Sequence, residues 1–359
     1  MKGWLKTPHQ NTKKDVPDTI GVSVVVAVRN ESKSMRKCVE SILNQKYAQD
    51  LVEVFVVDDF STDDTLNILK EYENRIQLIE LKNILPADRA HHANKKQAIS
   101  YAVEQAKFPL ILCGDGDCIY GELWIKSMMQ YYGKYAKRFI SGPVDYFESN
   151  TWWSKFLTMD LVSMIGVTAG SIGQKRPVMA SGANMLFEKA VFKEVNGYQG
   201  NDHVASGDDV FLMQKIFLRD DKAIGFVKNR KAFAFTHPPE SFKEFLNQRI
   251  RWTSKSGQLA DKQVKGVLIL NYLFYLICFI SLFVLPWFNW VYLFLGLIVL
   301  GLKILIDVLF FKNILAFYNK SHLLKLIFPI ELLHIVYVSL MGVLAIFGQY
   351  SWKGRQIKK

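Results

Sequence analysis

A chain of 359 residues with 50% hydrophobic and 22% charged side chains can bury a sizeable core, which excludes wholesale disorder. Its net charge of +12 admits nucleic acid, acidic substrates or an anionic lipid surface as partners. The basic residues flank apolar sequence: Lys2, Lys6, Lys13 and Lys14 lie near the start, Lys255, Lys262 and Lys265 precede a long apolar region, and Lys353, Arg355, Lys358 and Lys359 follow it. With no recognisable nucleic-acid module, this placement points to a membrane and not to nucleic acid. The mean hydropathy of +0.08 is high for a soluble enzyme, and the excess lies beyond residue 265. Cys38, Cys113, Cys118 and Cys278 form no paired zinc spacing and read as free thiols.

Residues 1–20 are polar, contain Pro8 and Pro17, and read as a flexible tail without a signal peptide, so membrane insertion is expected from the C-terminal part. The nearly continuous apolar run Gly21–Val28 reads as a strand buried on both faces. Asn30-Glu31-Ser32 follows as a turn, and helical spacing runs over 33–45 through Met35, Cys38, Val39, Ile42 and Leu43. A second buried strand, Val52–Val57, ends in Asp58-Asp59. A helix over about 63–74, a strand near Ile76–Leu81, a helix over about 92–106 and a strand Leu110–Cys113 running to Asp115 come next. This alternation predicts a parallel sheet with crossover helices, which binds ligands at the carboxyl ends of its strands. Asp58-Asp59 and Asp115–Asp117 fall at those ends.

From 119 to 262 the pattern is mixed: a strand at Phe139–Ser141, an aromatic-rich helix from Trp152, a loop-like Gly170–Pro177, a strand at Ala183–Phe187 and a helix near 188–195. The stretch Trp152-Trp153, with Phe156 and Leu157, suits either the membrane surface or ordinary core packing. Three apolar runs, about 267–287, 290–311 and 324–348, are each long enough to cross a bilayer. The three-residue turn Trp287-Phe288-Asn289 makes the first two a tight hairpin, with Trp287, Trp290 and Tyr292 at one interface. Lys303 and Asp307, four apart on one helix face, are expected to neutralise each other; the third run carries Glu331 and His334. If the first 262 residues are cytoplasmic, a third crossing exports a basic C-terminus. Either this run re-enters, broken at Pro329, or the positive-inside tendency gives way.

Four clusters carry the chemistry. Asp115-Gly116-Asp117, two carboxylates one residue apart at a buried strand's end, can face one magnesium or manganese ion that keeps positions open for substrate phosphates. Asp58 and Asp59 can accept hydrogen bonds from a base ring N–H or a ribose hydroxyl, whereas Ser61 to Asp64 suit capping of the next helix. Gly207-Asp208-Asp209 precedes an apolar helix start, where carboxylates either cap or serve as a general base. In Gln248-Arg249-Ile250-Arg251-Trp252, helical spacing puts Gln248, Arg251 and Trp252 on one face, suited to a diphosphate and a sugar ring or to lipid headgroups.

In this order the four clusters resemble the family 2 inverting glycosyltransferases of the GT-A fold, most closely the membrane subgroup that includes ceramide glucosyltransferases and the cellulose, chitin and hyaluronan synthases. Over residues 20–260 the resemblance adds Lys95, in Asn94-Lys95-Lys96-Gln97-Ala98, on the donor side, and Gly182-Ala183-Asn184 lining the acceptor side, so that Gly182, Asn184 and Trp252 face the acceptor. It implies donor binding by Asp58, Asp59, Lys95, Asp115 and Arg251, and metal binding by Asp115 and Asp117. Asp209 inherits the base role, with Asp208, Gln248, Arg251 and Trp252 in the catalytic set. The implied organisation is a tail (1–20), an α/β GT-A domain with a mostly parallel sheet (21–262), two or three transmembrane helices (263–352) and a basic tail (353–359). The implied protein is a multi-pass membrane enzyme with a cytoplasmic catalytic domain. It moves one sugar from a nucleotide-sugar, a UDP-sugar by family expectation, to a lipid or saccharide acceptor with a divalent metal. A processive polysaccharide synthase and a non-catalytic nucleotide-sugar-binding subunit are the alternatives. The chain departs from the subgroup in lacking an N-terminal transmembrane helix and in having only three C-terminal runs.

Overall fold

The computed structural model describes residues 2–13, 18–92, 94–202, 204, 206–254, 262–347, 350–353 and 355–357. Lys14, Pro17, Lys255, Lys358 and Lys359, named above, lie outside them. The chain runs through α1 (Lys2–Lys6), β1 (Val22–Val28), α2 (Met35–Leu43), β2 (Val52–Asp58), α3 (Thr65–Lys70), β3 (Gln77–Glu80), α4 (Lys95–Gln105) and β4 (Leu110–Asp115). There follow β5 (Ile119–Tyr120), α5 (Trp124–Tyr135), β6 (Phe139–Ser141), β7 (Val144–Tyr146), α6 (Trp152–Gly173), β8 (Asn184–Glu188), α7 (Lys189–Glu194), α8 (Asp208–Arg219), β9 (Ile224–Phe226), β10 (Ala234–Thr236) and α9 (Phe242–Ser254). Three apolar helices, α10 (Lys262–Phe283), α11 (Val291–Phe317) and α12 (Ile327–Phe347), lead to a hairpin of β11 (Tyr350–Trp352) and β12 (Arg355–Ile357).

The main sheet has seven strands in the order β3-β2-β1-β4-β8-β6-β9. β3, β2, β1 and β4 are mutually parallel, as the alternation predicts, while β8 runs antiparallel to both β4 and β6. β1 sits inside the parallel half because it offers no polar face: Val22, Val24, Val25, Val26 and Val28 are all buried. Its register sets Val28 beside Asp58 and Ala27 beside Asp115, so neighbouring strands end in carboxylates at one edge. A second, three-stranded sheet has the order β5-β10-β7.

The expected elements recur with two larger corrections. Residues 2–13 are not a loose tail. Trp4 is 1% exposed, its carbonyl accepts from Lys228 Nζ at 3.1 Å, and that ammonium lies 4.3 Å from the indole centroid. A Cβ on Gly3 would come within 1.9 Å of the Gly170 carbonyl oxygen, so α1 packs on α6 backbone to backbone. That contact also explains why α6 runs on to Gly173, into the stretch expected as a loop. By composition α6 could span a membrane, yet two-thirds of its apolar window is buried inside the protein, and Phe156 and Leu157 pack in the core. The second correction concerns residues 353–359: the described part is not a free basic tail but one strand and the turn of a hairpin docked on the domain, with Arg355 buried.

α10 and α11 form the expected hairpin, its tip marked by Trp287, Phe288 and Trp290 at 89%, 81% and 73% exposure. Both are long and apolar enough to cross a membrane, as is the segment Ser321–Gly342. Lys303 pairs with Asp307 at 2.6 Å, as its spacing predicts, and also with Glu331 of α12 at 2.5 Å. Truncating the buried indole removes its packing against α6 and Lys228. Trp4→Ala is therefore expected to cost about 3–5 kcal/mol, read as a lowered unfolding midpoint of the detergent-solubilised chain.

Candidate active site

The end of β4 brings Asp115 to the sheet edge, and the first turn of α4 brings Lys95 to meet it. The ammonium of Lys95 donates to Asp115 Oδ1 at 2.7 Å and pairs with Asp208 Oδ2, at the start of α8, at 3.0 Å. Burial works against this ammonium, but the two carboxylates hold its pKa well above the ordinary lysine value. Gly182 backs the same pair: a Cβ there would stand 2.7 Å from Asp208 Oδ2 and 3.0 Å from Lys95 Nζ. The Gly182 N–H donates to Asp209 Oδ2 at 3.2 Å, and Asp209 Oδ1 accepts from the Val210 N–H at 2.7 Å. Lys95, Asp115, Gly182, Asp208 and Asp209 thus form one connected group, although they lie on separate elements.

Asp58 ends β2 next to this group. Its Oδ2 accepts from the Ser61 N–H at 3.1 Å, while its Oδ1 is buried with no hydrogen-bond partner among the described residues. Burial raises its pKa above the ordinary aspartate value. Gln248 Oε1 is likewise a buried acceptor without a partner among those residues. Orphaned buried acceptors are costly in a folded protein, and a donor group on a ligand would satisfy them.

Two expected contacts are corrected. Asp59 does not present its carboxylate to a ligand: Arg355 holds it through two hydrogen bonds of 2.6 and 2.9 Å, and Asn94 Nδ2 donates at 2.8 Å. Asn184 does not line an acceptor path. It is fully buried; its amide nitrogen donates to the Pro143 and Ala232 carbonyls at 2.8 and 2.7 Å, and its Oδ1 accepts from Trp124 Nε1 at 2.9 Å. This buried amide clamps the start of β8 to the segments that lead into β7 and β10, with both its nitrogen and its oxygen engaged inside the protein.

Other participants carry no motif signal. Arg29 donates to the carbonyls of Asp59 and Phe60 at 2.7 and 2.5 Å, fixing a turn in which Phe60 takes a left-handed φ of 54°. Lys353 pairs with Glu31. Burial, helped by the charges of Asp117 and Asp115, lifts Glu31 to a pKa of about 7 against the pull of Lys353. On α9, Arg249 pairs with Asp160 of α6 and stands 4.3 Å from the Trp252 ring centroid. That buried pair seats the helix that carries Gln248, Arg251 and Trp252.

Among the described residues no three side chains of metal-ligating type converge. Asp115 and Asp117 nonetheless suit a divalent cation. They are hard carboxylate donors, both lie close enough to Glu31 to raise its pKa, and the Asp115 side chain is 36% exposed. Two carboxylates with substrate phosphates are a sufficient donor set for magnesium or manganese.

Residues 123–347 match the model for Glycosyl transferase family group 2, and residues 23–195 match that for Glycosyl transferase family 2. The chain belongs to the family 2 glycosyltransferases. It is 23% identical over 250 residues to poly-beta-1,6-N-acetyl-D-glucosamine synthase of Staphylococcus epidermidis, covering 69% of this chain and 56% of the synthase. It therefore spans little more than half of that relative's length. It is also 24% identical over 235 residues to glycosyltransferase AglE of Haloferax volcanii, covering 64% of this chain and 71% of AglE. Among solved structures it is similar to the mannosyltransferase PcManGT of Pyrobaculum calidifontis, solved in complex with GDP-Man and Mn2+. That match has a TM-score of 0.56 at 15% identity, over 96% of this chain and 92% of the other. The likeness in fold agrees with a GT-A-like sheet core followed by apolar helices.

The correction at Asn184 has a measurable consequence. Asn184→Ala removes the partner of the buried Trp124 N–H and the amide donor to the Ala232 carbonyl, while the Pro143 carbonyl keeps the Ala234 N–H at 3.1 Å; a stranded buried group costs about 1–3 kcal/mol. A lowered unfolding midpoint is expected, with the acceptor KM of the folded fraction unchanged.

Proposed function

We propose that the chain transfers one sugar from a nucleoside-diphosphate sugar, a UDP-sugar in the first instance, to a lipid or lipid-linked acceptor, with inversion at the sugar carbon. The observation that carries this reading is the connected group of Lys95, Asp115, Asp208 and Asp209, with the unpartnered Asp58 oxygen beside it. This arrangement supports a reading in which Asp58 meets the donor base, Asp115 lies on the diphosphate side and Asp209 is the base.

The Asp58 oxygen accepts from the donor base, and Asp59 acts at one remove by holding its neighbours. Asp115 and Asp117 would hold magnesium or manganese, which when bound supplies positive charge against the diphosphate. Asp209 takes the proton of the acceptor hydroxyl while that oxygen forms its bond to the anomeric carbon. The bond to the diphosphate breaks on the opposite face, and the leaving group departs with its electron pair. Arg251 stabilises the departing diphosphate, Lys95 keeps Asp115 and Asp208 together, and Gln248, Trp252 and Gly182 shape the acceptor mouth. α10 and α11 anchor the enzyme in the membrane with the catalytic domain on the cytoplasmic side, so a lipid acceptor reaches the site from the bilayer.

The likeness to a polysaccharide synthase favours a second reading, repeated addition to a growing polymer. Incubating full-length protein in membranes with several nucleotide-sugars and extracted lipids, read by mass spectrometry, separates the two. One added sugar per acceptor is expected, a ladder of products supports polymerisation, and no transfer from any donor overturns the enzymatic reading. Asp209→Asn is expected to lower kcat by about 10²–10⁴-fold, the usual worth of a general base, with the donor KM little changed. Chelation should abolish transfer, and added magnesium or manganese should restore it.

A further inference from the structure

α12 has 21 residues and, at ~1.5 Å per residue, a length of roughly 31 Å, enough to cross a bilayer. Length therefore does not decide its path, but its two ends do. Just before it, Tyr318 Oη donates to the Val144 carbonyl at 3.1 Å, and Lys320 pairs with Asp145 at 2.6 Å; both partners lie on β7 of the catalytic domain. Just after it, Lys353 pairs with Glu31, and Arg355 grips Asp59 and donates from Nε to the Ala90 carbonyl at 2.7 Å. Both ends are tied to the same domain by buried or half-buried charges.

Its middle is tied there too. The stripe Ile330, His334, Tyr337 and Met341 recurs at helical spacing and faces the domain. Ile330 joins the main core, His334 Nε2 lies 3.7 Å from Asp160 of α6, the Tyr337 ring is 5.0 Å from that of Phe245 on α9, and Met341 packs on Ile250. A neighbouring stripe, Leu333, Leu340 and Leu344, is left exposed for lipid. α10 and α11 differ: their apolar windows are only 11% and 17% buried, against 33% for the segment Ser321–Gly342. Were Phe347 on the far face, the short connection to Arg355 would have to carry Lys353 and Arg355 back through roughly 30 Å of hydrocarbon, which a reversing hairpin cannot reach.

We infer that α12 enters and leaves on the catalytic side, so that only α10 and α11 cross, and that its return brings Arg355 onto the donor end of the site as a positioning residue. Arg355 joins the end of β2, through Asp59, to the Ala90 carbonyl in the segment leading to Lys95. Two walls of the donor pocket are thereby held by a residue from the last five of the chain. The arrangement also removes the charge conflict of a third crossing: Lys312, Lys320, Lys325, Lys353 and Arg355 all fall on the side of Lys262 and Lys265. The topological part stands on the contacts alone, whereas the positioning part rests on the donor reading proposed above.

The two parts separate experimentally. The native cysteines are all buried, so single cysteines at Lys265→Cys, Asn289→Cys and Gln356→Cys in the full chain can be labelled in sealed vesicles by a membrane-impermeant maleimide. Gln356→Cys is expected to label from the same side as Lys265→Cys and opposite to Asn289→Cys. Labelling together with Asn289→Cys overturns the return of α12, whether or not the protein transfers sugar. For the positioning role, UDP affinity of the purified full chain is expected to fall about tenfold in Arg355→Ala, equivalent to one lost favourable contact, with partial recovery in Arg355→Lys. If Arg355→Ala does not fold, the double variant Asp59→Asn with Arg355→Met, which removes both buried charges together, is expected to show the same loss. Unchanged UDP affinity in a folded variant, or a wild-type chain that binds no UDP, overturns the positioning role.

Discussion

Carboxylates crowded at the end of a buried sheet repel one another, and the rest of this site is arranged around the cations that offset that repulsion. The register of β1 with its neighbours places Asp58 and Asp115 at one edge, and α8 adds Asp208 and Asp209. Lys95 is the central counter-charge, held between Asp115 and Asp208. Arg355 on Asp59 and Lys353 on Glu31 act at the other end. Away from bulk water these pairs interact far more strongly than surface pairs, and removing one partner strands the other.

The same economy of charge governs the contact between the catalytic domain and the apolar helices. Asp160 of α6 meets Arg249 of α9 and approaches His334 of α12, while Lys303 of α11 meets Asp307 and Glu331. Charged groups in apolar surroundings persist where they are paired. Here the pairs also dictate which helix lies against which. α9, which carries Gln248, Arg251 and Trp252, is seated on both α6 and α12.

Much of the fold was legible in the residues. Nearly continuous apolar runs marked β1, β2 and β4, and the strand-helix alternation predicted their parallel order, because those patterns follow from local geometry. Lys303 and Asp307 paired as their spacing predicted, since residues four apart on a helix are neighbours wherever it lies. Residues 2–13 pack on the domain although they read as a tail, because a single Trp and a Gly decide their packing. No local pattern shows that Gly3 fits against Gly170, or that the Trp4 ring lies under Lys228. The motif carrying Asn184 was visible, but its role was not: whether an amide faces a cleft or a core depends on which strands surround it.

The amino-acid sequence alone determined the α/β class, the strand ends that bear the aspartates and the apolar character of the three long runs beyond residue 265. All of these are written in the spacing of neighbouring residues. Only the tertiary structure decided which carboxylates remain open, that Asp59 is already held, and that residues 353–355 return to the ends of β1 and β2 through Lys353 with Glu31 and Arg355 with Asp59. Those partners stand 322 and 296 positions apart, and an ion pair across such a span depends on the whole path of the backbone between them.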